Sequence, residues 1–164
     1  MPPQSQNSPL SAFLMALKQE QIDCILIGAM AAIEQGAPFM TIGYDFWVEL
    51  PERHCVRLLT LARGLGAITR AQTVYELSDG TQVNAVFRPD GLRPFRREFR
   101  NSPIRKIEGV PTRILPLVRV IASKRAANRD KDIAVLPVLE RTLRLAKSLK
   151  GHPTASARKK RKGI

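Results

Sequence analysis

The sequence predicts an α+β domain, a mixed β-sheet flanked by helices with further helices at its C-terminal end. Three observations carry this. A wholly apolar run, Cys24-Ile-Leu-Ile-Gly28, passes directly into an Ala-rich helical segment. Two alternating segments, Thr73 to Leu77 and Thr81 to Arg88, flank Asp79-Gly80, a strong hairpin signal. Helical periodicity then dominates from Pro116 onward. Strands mixed with helices, with no strict βαβ alternation, give α+β rather than a doubly wound sheet.

The elements follow in order. Ser8-Pro9 opens a helix, with serine as N-cap and proline in the first turn, and Leu10, Phe13, Leu14 and Leu17 recur at helical spacing. Cys24–Gly28 reads as a short strand buried on both faces. Ala29 to Gln35 is a compact helix stopped by Gly36, suited to a left-handed cap, and by Pro38. Tyr44 to Leu50 is rich in aromatic and β-branched residues and is predicted as a strand. Pro51 opens a helix with Val56, Leu59, Leu61 and Leu65 on its apolar side. After the Asp79-Gly80 hairpin, Ile104 to Ile107 and Thr112 to Leu115 flank Glu108-Gly109-Val110-Pro111 as a second one. Helices are predicted over 116–127 and 130–149, with Pro137 kinking or dividing the latter. Residues 8–150 thus form one domain, between a leader (1–7) and a basic tail (151–164) that are both predicted to be disordered.

Composition narrows the function classes. The chain has 164 residues, 44% hydrophobic, enough for a packed core without disulfides or metal. Its two cysteines, Cys24 and Cys55, lie in apolar contexts and read as small buried hydrophobes. No run is long enough to cross a bilayer, and Met-Pro-Pro-Gln-Ser-Gln lacks the order of a signal peptide, so a cytoplasmic protein with no membrane partner is expected. The charge is the unusual quantity: 27 Lys and Arg against 14 Asp and Glu, formally +13. Such an excess favours nucleotide or nucleic-acid partners. It is densest at Arg158-Lys159-Lys160-Arg161-Lys162, a basic arm for polyanions. Arg88, Arg93, Arg96, Arg97, Arg100 and Arg105 interleave with Phe87, Phe95 and Phe99 on a predicted connecting loop. That mixture suits phosphate contact and base stacking, with Arg96, Arg97 and Arg100 central to it, and equally suits a solubilising loop. His54 and His152 have no credible ligand or nucleophile neighbour in sequence and are read as surface residues.

The chemistry is concentrated in Gly28 to Val48. A glycine ends a strand, a helix opens there, and the next strand bears Asp45. Unpaired N–H groups at a helix start can hold a phosphate, and glycine lets it approach the backbone. A carboxylate on the adjoining strand can then hold a magnesium ion bridging the same phosphates. Gly43 is also a candidate β-bulge, and Trp47, on the face of Asp45, either stacks on a base or packs.

This arrangement resembles the small prokaryotic nucleotidyltransferase-fold proteins of the DNA polymerase β-like superfamily. Their strand ending in Gly-Gly or Gly-Ser is matched by Gly28-Ala29, and their Thr-x-Asp-x-Asp strand by Thr41-Ile42-Gly43-Tyr44-Asp45. Their later acidic strand is matched by Val83-Asn84-Ala85-Val86-Phe87. Ser123 to Asp132 is similar to their Lys-x-x-Ala-x-Arg-x-Lys-Asp segment. The resemblance implies a metal-ligand and catalytic role for Asp45 and nucleotide or phosphate contacts at Gly28, Ala29, Thr41, Lys124 and Arg129. It also implies magnesium as cofactor, and a small protein partner of the kind found in toxin–antitoxin pairs.

The departures from the pattern are specific. Three carboxylates hold two magnesium ions in the family, but here the first position is Gly43 and the third Asn84, leaving Asp45 alone. Asparagine offers a neutral oxygen and no charge, and magnesium relies on carboxylates and substrate phosphates. Glu49 is on the same face as Asp45 but roughly 13 Å away at about 3.3 Å per residue. The favoured reading is a catalytically impaired nucleotidyltransferase-fold protein that binds nucleotide, RNA or a partner protein. The alternatives are an active enzyme moving a nucleoside monophosphate from a triphosphate to a hydroxyl, and an unrelated basic RNA-binding domain.

Overall fold

The structure is a computed structural model and describes residues 7–151. The basic run 158–162 and His152 lie outside the described residues. In chain order the elements are α1 (Pro9–Gln19), β1 (Cys24–Ile27), α2 (Gly28–Glu34), β2 (Gly43–Val48), α3 (Cys55–Gly64), β3 (Ile68–Ala71), β4 (Val74–Glu76), β5 (Gln82–Val86), α4 (Phe95–Asn101), β6 (Ile104–Ile107), β7 (Val110–Ile114), α5 (Leu117–Ala127) and α6 (Asp130–Gly151). The strands form one sheet in the order β3-β4-β5-β2-β1-β7-β6. The β2–β5 and β1–β7 pairs are parallel and the other neighbours antiparallel, so the sheet is mixed as predicted.

The local signals act where the sequence places them. Ser8 Oγ accepts the Ser11 N–H at 3.1 Å, capping α1. Adjacent Ile25 and Leu26 are both fully buried, as a strand covered on both faces requires. The β6–β7 hairpin turns on Glu108 and Gly109, both at positive φ, the demand of a two-residue turn whose twist matches its strands. Register places Tyr75, Val83 and Tyr44 on one face of the sheet, where Phe13 of α1 meets Tyr75 at 6.4 Å between rings. The other face carries Asp45, Asn84 and Trp47 and is covered by α4 and α5.

Four expectations about the elements are corrected. Gly43 is not a bulge: β2 and β5 pair without interruption from Gly43 to Trp47, and the sheet's irregularity lies between Thr69 and Ala71. Pro137 does not divide α6, which runs unbroken through it, and Ile133, whose carbonyl loses its partner there, is on the exposed side. The arginine-rich segment is not a loop; residues 95–101 form α4, with Phe95 and Phe99 one turn apart on its packed side. The strand β3 has no counterpart in the sequence reading because all four of its residues are exposed at the sheet edge, which erases alternation. Between the two roles left open for Trp47, the structure selects packing: it is buried and meets Phe95 edge-on at 5.0 Å, with no free face for a base. The cysteines are unbridged, and burial pushes the Cys24 thiol up to about 12.

Candidate functional site

Three neighbouring strands build the floor of a cleft of about 350 Å³. Ile27 of β1 is opposite Asp45 of β2, and Asp45 is opposite Asn84 of β5. Gly43, two residues before Asp45, shares its face. Positions 45 and 84 therefore meet beside the start of α2, and Gly43 lies two residues off on the same face, outside the cleft lining. Asn84 Nδ2 donates to Asp45 Oδ1 at 3.2 Å, and Thr73 Oγ1 donates to Asn84 Oδ1 at 3.3 Å. This chain gives the carboxylate a neutral amide donor, Asn84, itself held by Thr73.

Gly28 is at φ +69°, and a Cβ there would sit 2.5 Å from Asp45 Oδ2. Only glycine lets the carboxylate lie against this backbone. Asp45 thus occupies the space where the glycine was expected to admit a phosphate. Without a cation between them the two anions repel, by about 4 kcal/mol for unit charges 4 Å apart at an effective dielectric near 20. The opposite wall of the cleft is cationic.

That wall comes from α5, the junction at Asn128, and α6. Asn128 takes the left-handed conformation that closes α5, and its N–H donates to the Lys124 carbonyl, turning the chain sharply. Asp132 is fully buried just beyond, accepting Lys124 Nζ at 3.2 Å and Arg129 Nε at 2.6 Å. Burial alone would raise its pKa, but the hydrogen bonds from Arg129 and Lys124 outweigh burial and hold it below the ordinary carboxylate value. Asp132 in turn raises the pKa of Arg129, with Asp90 and Asp45 adding to the effect. Lys131 and Arg88 also line the cleft, so four cations face Asp45, Asp90 and Asp132.

A pH dependence follows from Asp132. Because its folded pKa is depressed, its stabilisation is complete above the unfolded value of about 3.9 and is lost as pH falls through the folded one. Asp132→Asn is expected to lower stability at neutral pH and to flatten the acid limb of the unfolding curve as pH falls below the unfolded carboxylate value, followed by circular dichroism. A variant that keeps the parental acid limb would remove Asp132 from this role.

Of the residues predicted to serve the site, Gly28, Asp45, Asn84, Lys124 and Arg129 line the cleft. Ala29 and Thr41 do not; Thr41 Oγ1 accepts the Gly43 N–H at 3.4 Å and shapes the entry to β2. Arg97 and Arg100 are exposed on α4, outside the cleft. Arg96 is tied by salt bridges to Glu49 at 2.6 Å and Asp23 at 2.7 Å and lies over Phe95 and Phe99, which binds α4 to the sheet. Two further acids near the sheet, Glu34 and Glu76, do not line the cleft, and Glu76 pairs with Arg70. Asp90 is the residue that sequence reading missed. Its signal is Pro89-Asp90-Gly91, a turn signature directly after β5. A Cβ on Gly91 would sit 2.5 Å from Ala126 Cβ, so this turn is pressed against α5 and carries Asp90 to the cleft.

The donor set does not fit a two-magnesium centre. Among the described residues, no three His, Cys, Asp or Glu side chains converge on a point that could hold a metal. At the floor, one carboxylate meets an amide that turns its N–H toward it.

No family model and no curated protein matches the sequence. Solved structures do. The antibiotic-resistance factor ANT(2'')-Ia, a nucleotidyltransferase, superposes in its solution structure with a TM-score of 0.50 at 14% identity, over 90% of this chain and 92% of that one. Its crystal structure with adenylyl-2''-tobramycin gives 0.49 at 14%, over 90% and 98%. An antigenic nucleotidyltransferase-like protein from Paracoccidioides brasiliensis gives 0.49 at 15%, over 82% and 76%. With its mixed sheet, its strand-to-helix glycine and its C-terminal helices, this chain has the nucleotidyltransferase fold.

Proposed function

We propose that the chain binds a nucleotide in this cleft without metal and is impaired in nucleotidyl transfer. The observation that carries the reading is the Thr73–Asn84–Asp45 hydrogen-bond chain, with Gly43 and Asn84 where the resemblance expects carboxylates, facing a wall of Lys124, Arg129 and Lys131. The phosphates would rest on that wall. Charge-assisted hydrogen bonds from Arg and Lys supply the attraction that magnesium supplies elsewhere. Asp45 and Asn84 would offer the opposite end of the ligand a hydrogen-bond acceptor and a donor. Magnesium, when bound by a nucleotidyltransferase, activates the attacking hydroxyl and neutralises the leaving group; this donor set supplies too little negative charge to hold it. Asp90 on the cleft rim favours the second reading, an active enzyme with an atypical acid set.

Calorimetric titration of ATP, GTP, CTP and UTP, with and without magnesium, separates the two. Metal-independent binding, weakened about tenfold by Lys131→Ala through loss of one charge-assisted bond, is expected. Metal-dependent binding abolished by Asp45→Ala would favour the active enzyme and reject metal-free binding. Absence of binding under both conditions would reject nucleotide as the ligand.

A further inference from the structure

The second half of α6 carries apolar residues that the described residues cover only in part. Val138, Leu145 and Leu149 lie on one stripe, with Thr142 between them, at spacings of four, three and four. Leu145 is 56% exposed and Leu149 77%. This stripe is not the side by which α6 joins the core: Leu139 is buried, and Val135, Leu136 and Leu143 pack beside it where α6 meets α5. Thr142 is itself buried, so the stripe is covered at its centre and open at Leu145 and Leu149. The uncovered face borders a groove of about 590 Å³ whose far side is Gln35, Gly36 and Pro38, the turn that ends α2. Gly36 brings that turn against Thr142, with only 3.9 Å from its Cβ position to Thr142 Cγ2.

The charges around the groove select the occupant. Arg141 lines it, and α6 from Arg141 to Gly151 also bears Arg144, Lys147 and Lys150, with no carboxylate. The nearest preceding acid, Glu140, is paired with Arg125. A second copy of α6 would set one cationic segment against another, and like charges across an interface are unfavourable. We propose that this groove receives an amphipathic helix of a different protein, with leucine-like residues on one face and carboxylates flanking them. Apolar anchors spaced over two to three turns would fill the groove beside Val138, Leu145 and Leu149, and the acidic flank would meet Arg141 at its edge. This docking surface is separate from the cleft, so the two assignments stand or fall independently.

The test uses the full chain and a fluorescent peptide of roughly 16 residues with leucine at the a and d positions of each heptad and glutamate beside them, against the same peptide with lysine beside them. Anisotropy is expected to show binding of the glutamate peptide only, weakened by added salt. Leu145→Ser with Leu149→Ser should weaken it at least about tenfold while the melting temperature stays at the parental value, because both side chains are exposed. Failure of the glutamate peptide to bind, or equal binding of the lysine peptide, overturns the proposal. So does sedimentation showing a dimer that the double serine variant converts to a monomer, which would make the occupant a second copy.

Discussion

Gly43→Asp combined with Asn84→Asp is expected to give this chain a divalent-metal site that the parent lacks. The backbone already accommodates both changes. A Cβ at Gly43 meets Gln82 Cβ and its carbonyl oxygen at 3.6 Å, which is ordinary contact, and φ there is not left-handed. The carboxylate introduced at position 43 would point to the same face as Asp45, and the one introduced at position 84 would stand directly opposite Asp45 in the register. The hydrogen bond from Asn84 Nδ2 to Asp45 would be replaced by repulsion between two carboxylates in the same place. Three acids crowded together without a cation raise one another's pKa and destabilise the fold, so the metal-free variant should melt below the parent. Manganese should then restore it. Metal at a hundred times its dissociation constant adds about 2.7 kcal/mol. For a domain of this size that is a rise of about 5–10 °C. Differential scanning fluorimetry with and without manganese, repeated on the parent as control, provides the measurement. A folded double variant whose melting temperature ignores manganese would show that the three positions do not form one site.

Loss of the Glu98 carboxylate should be among the largest destabilisations available outside the apolar core. Glu98 is only 2% exposed, and both its oxygens accept from Arg119 Nε, at 3.1 and 3.2 Å. The pair joins α4 to α5, and α4 also carries the Phe95 that packs on Trp47. Glu98→Ala leaves a guanidinium that is itself 23% exposed without its counter-ion and opens a gap beneath α4. Removing one partner of a buried pair costs about 3–5 kcal/mol, and the partial exposure of Arg119 places this case near the lower end. Urea unfolding should show that loss, with Glu98→Gln retaining part of the stability through one neutral acceptor. Glu49→Ala supplies the contrast: its pair with Arg96 is solvent-exposed, and such pairs are worth at most about 1 kcal/mol. Equal effects of the Glu98 and Glu49 variants would remove Glu98 from its docking role.

The arginines show where reading the chain alone stops. Arg96, Arg97 and Arg100 are indistinguishable in sequence, three cations within one aromatic segment. In the fold Arg96 is committed to Asp23 and Glu49, while Arg97 and Arg100 face solvent. Partners 73 and 47 positions away cannot be inferred from local pattern. Asp90 is the converse: its turn signature was legible, but its place at the cleft follows from the contact between Gly91 and α5.

What the sequence by itself determined is the order of the elements other than β3 and α4, and the chemical identity of the critical positions. The Ser8 cap, the Gly36 stop and the Asp79-Gly80 turn are local and act over a few residues, so they survive translation into structure. The four-residue turn read at Glu108 to Pro111 instead narrows to Glu108-Gly109, because Val110 and Pro111 join β7. The presence of one carboxylate where three are expected was likewise visible without coordinates. Only the tertiary structure decided what that carboxylate does: Asp45 is held by Asn84 against Gly28, and the cations opposite it are organised by buried Asp132. It also decided which side of α6 stays uncovered. The physical reason is the same in each case. Burial and charge pairing depend on which elements meet across the sheet, and that is a property of the packed fold rather than of any stretch of chain.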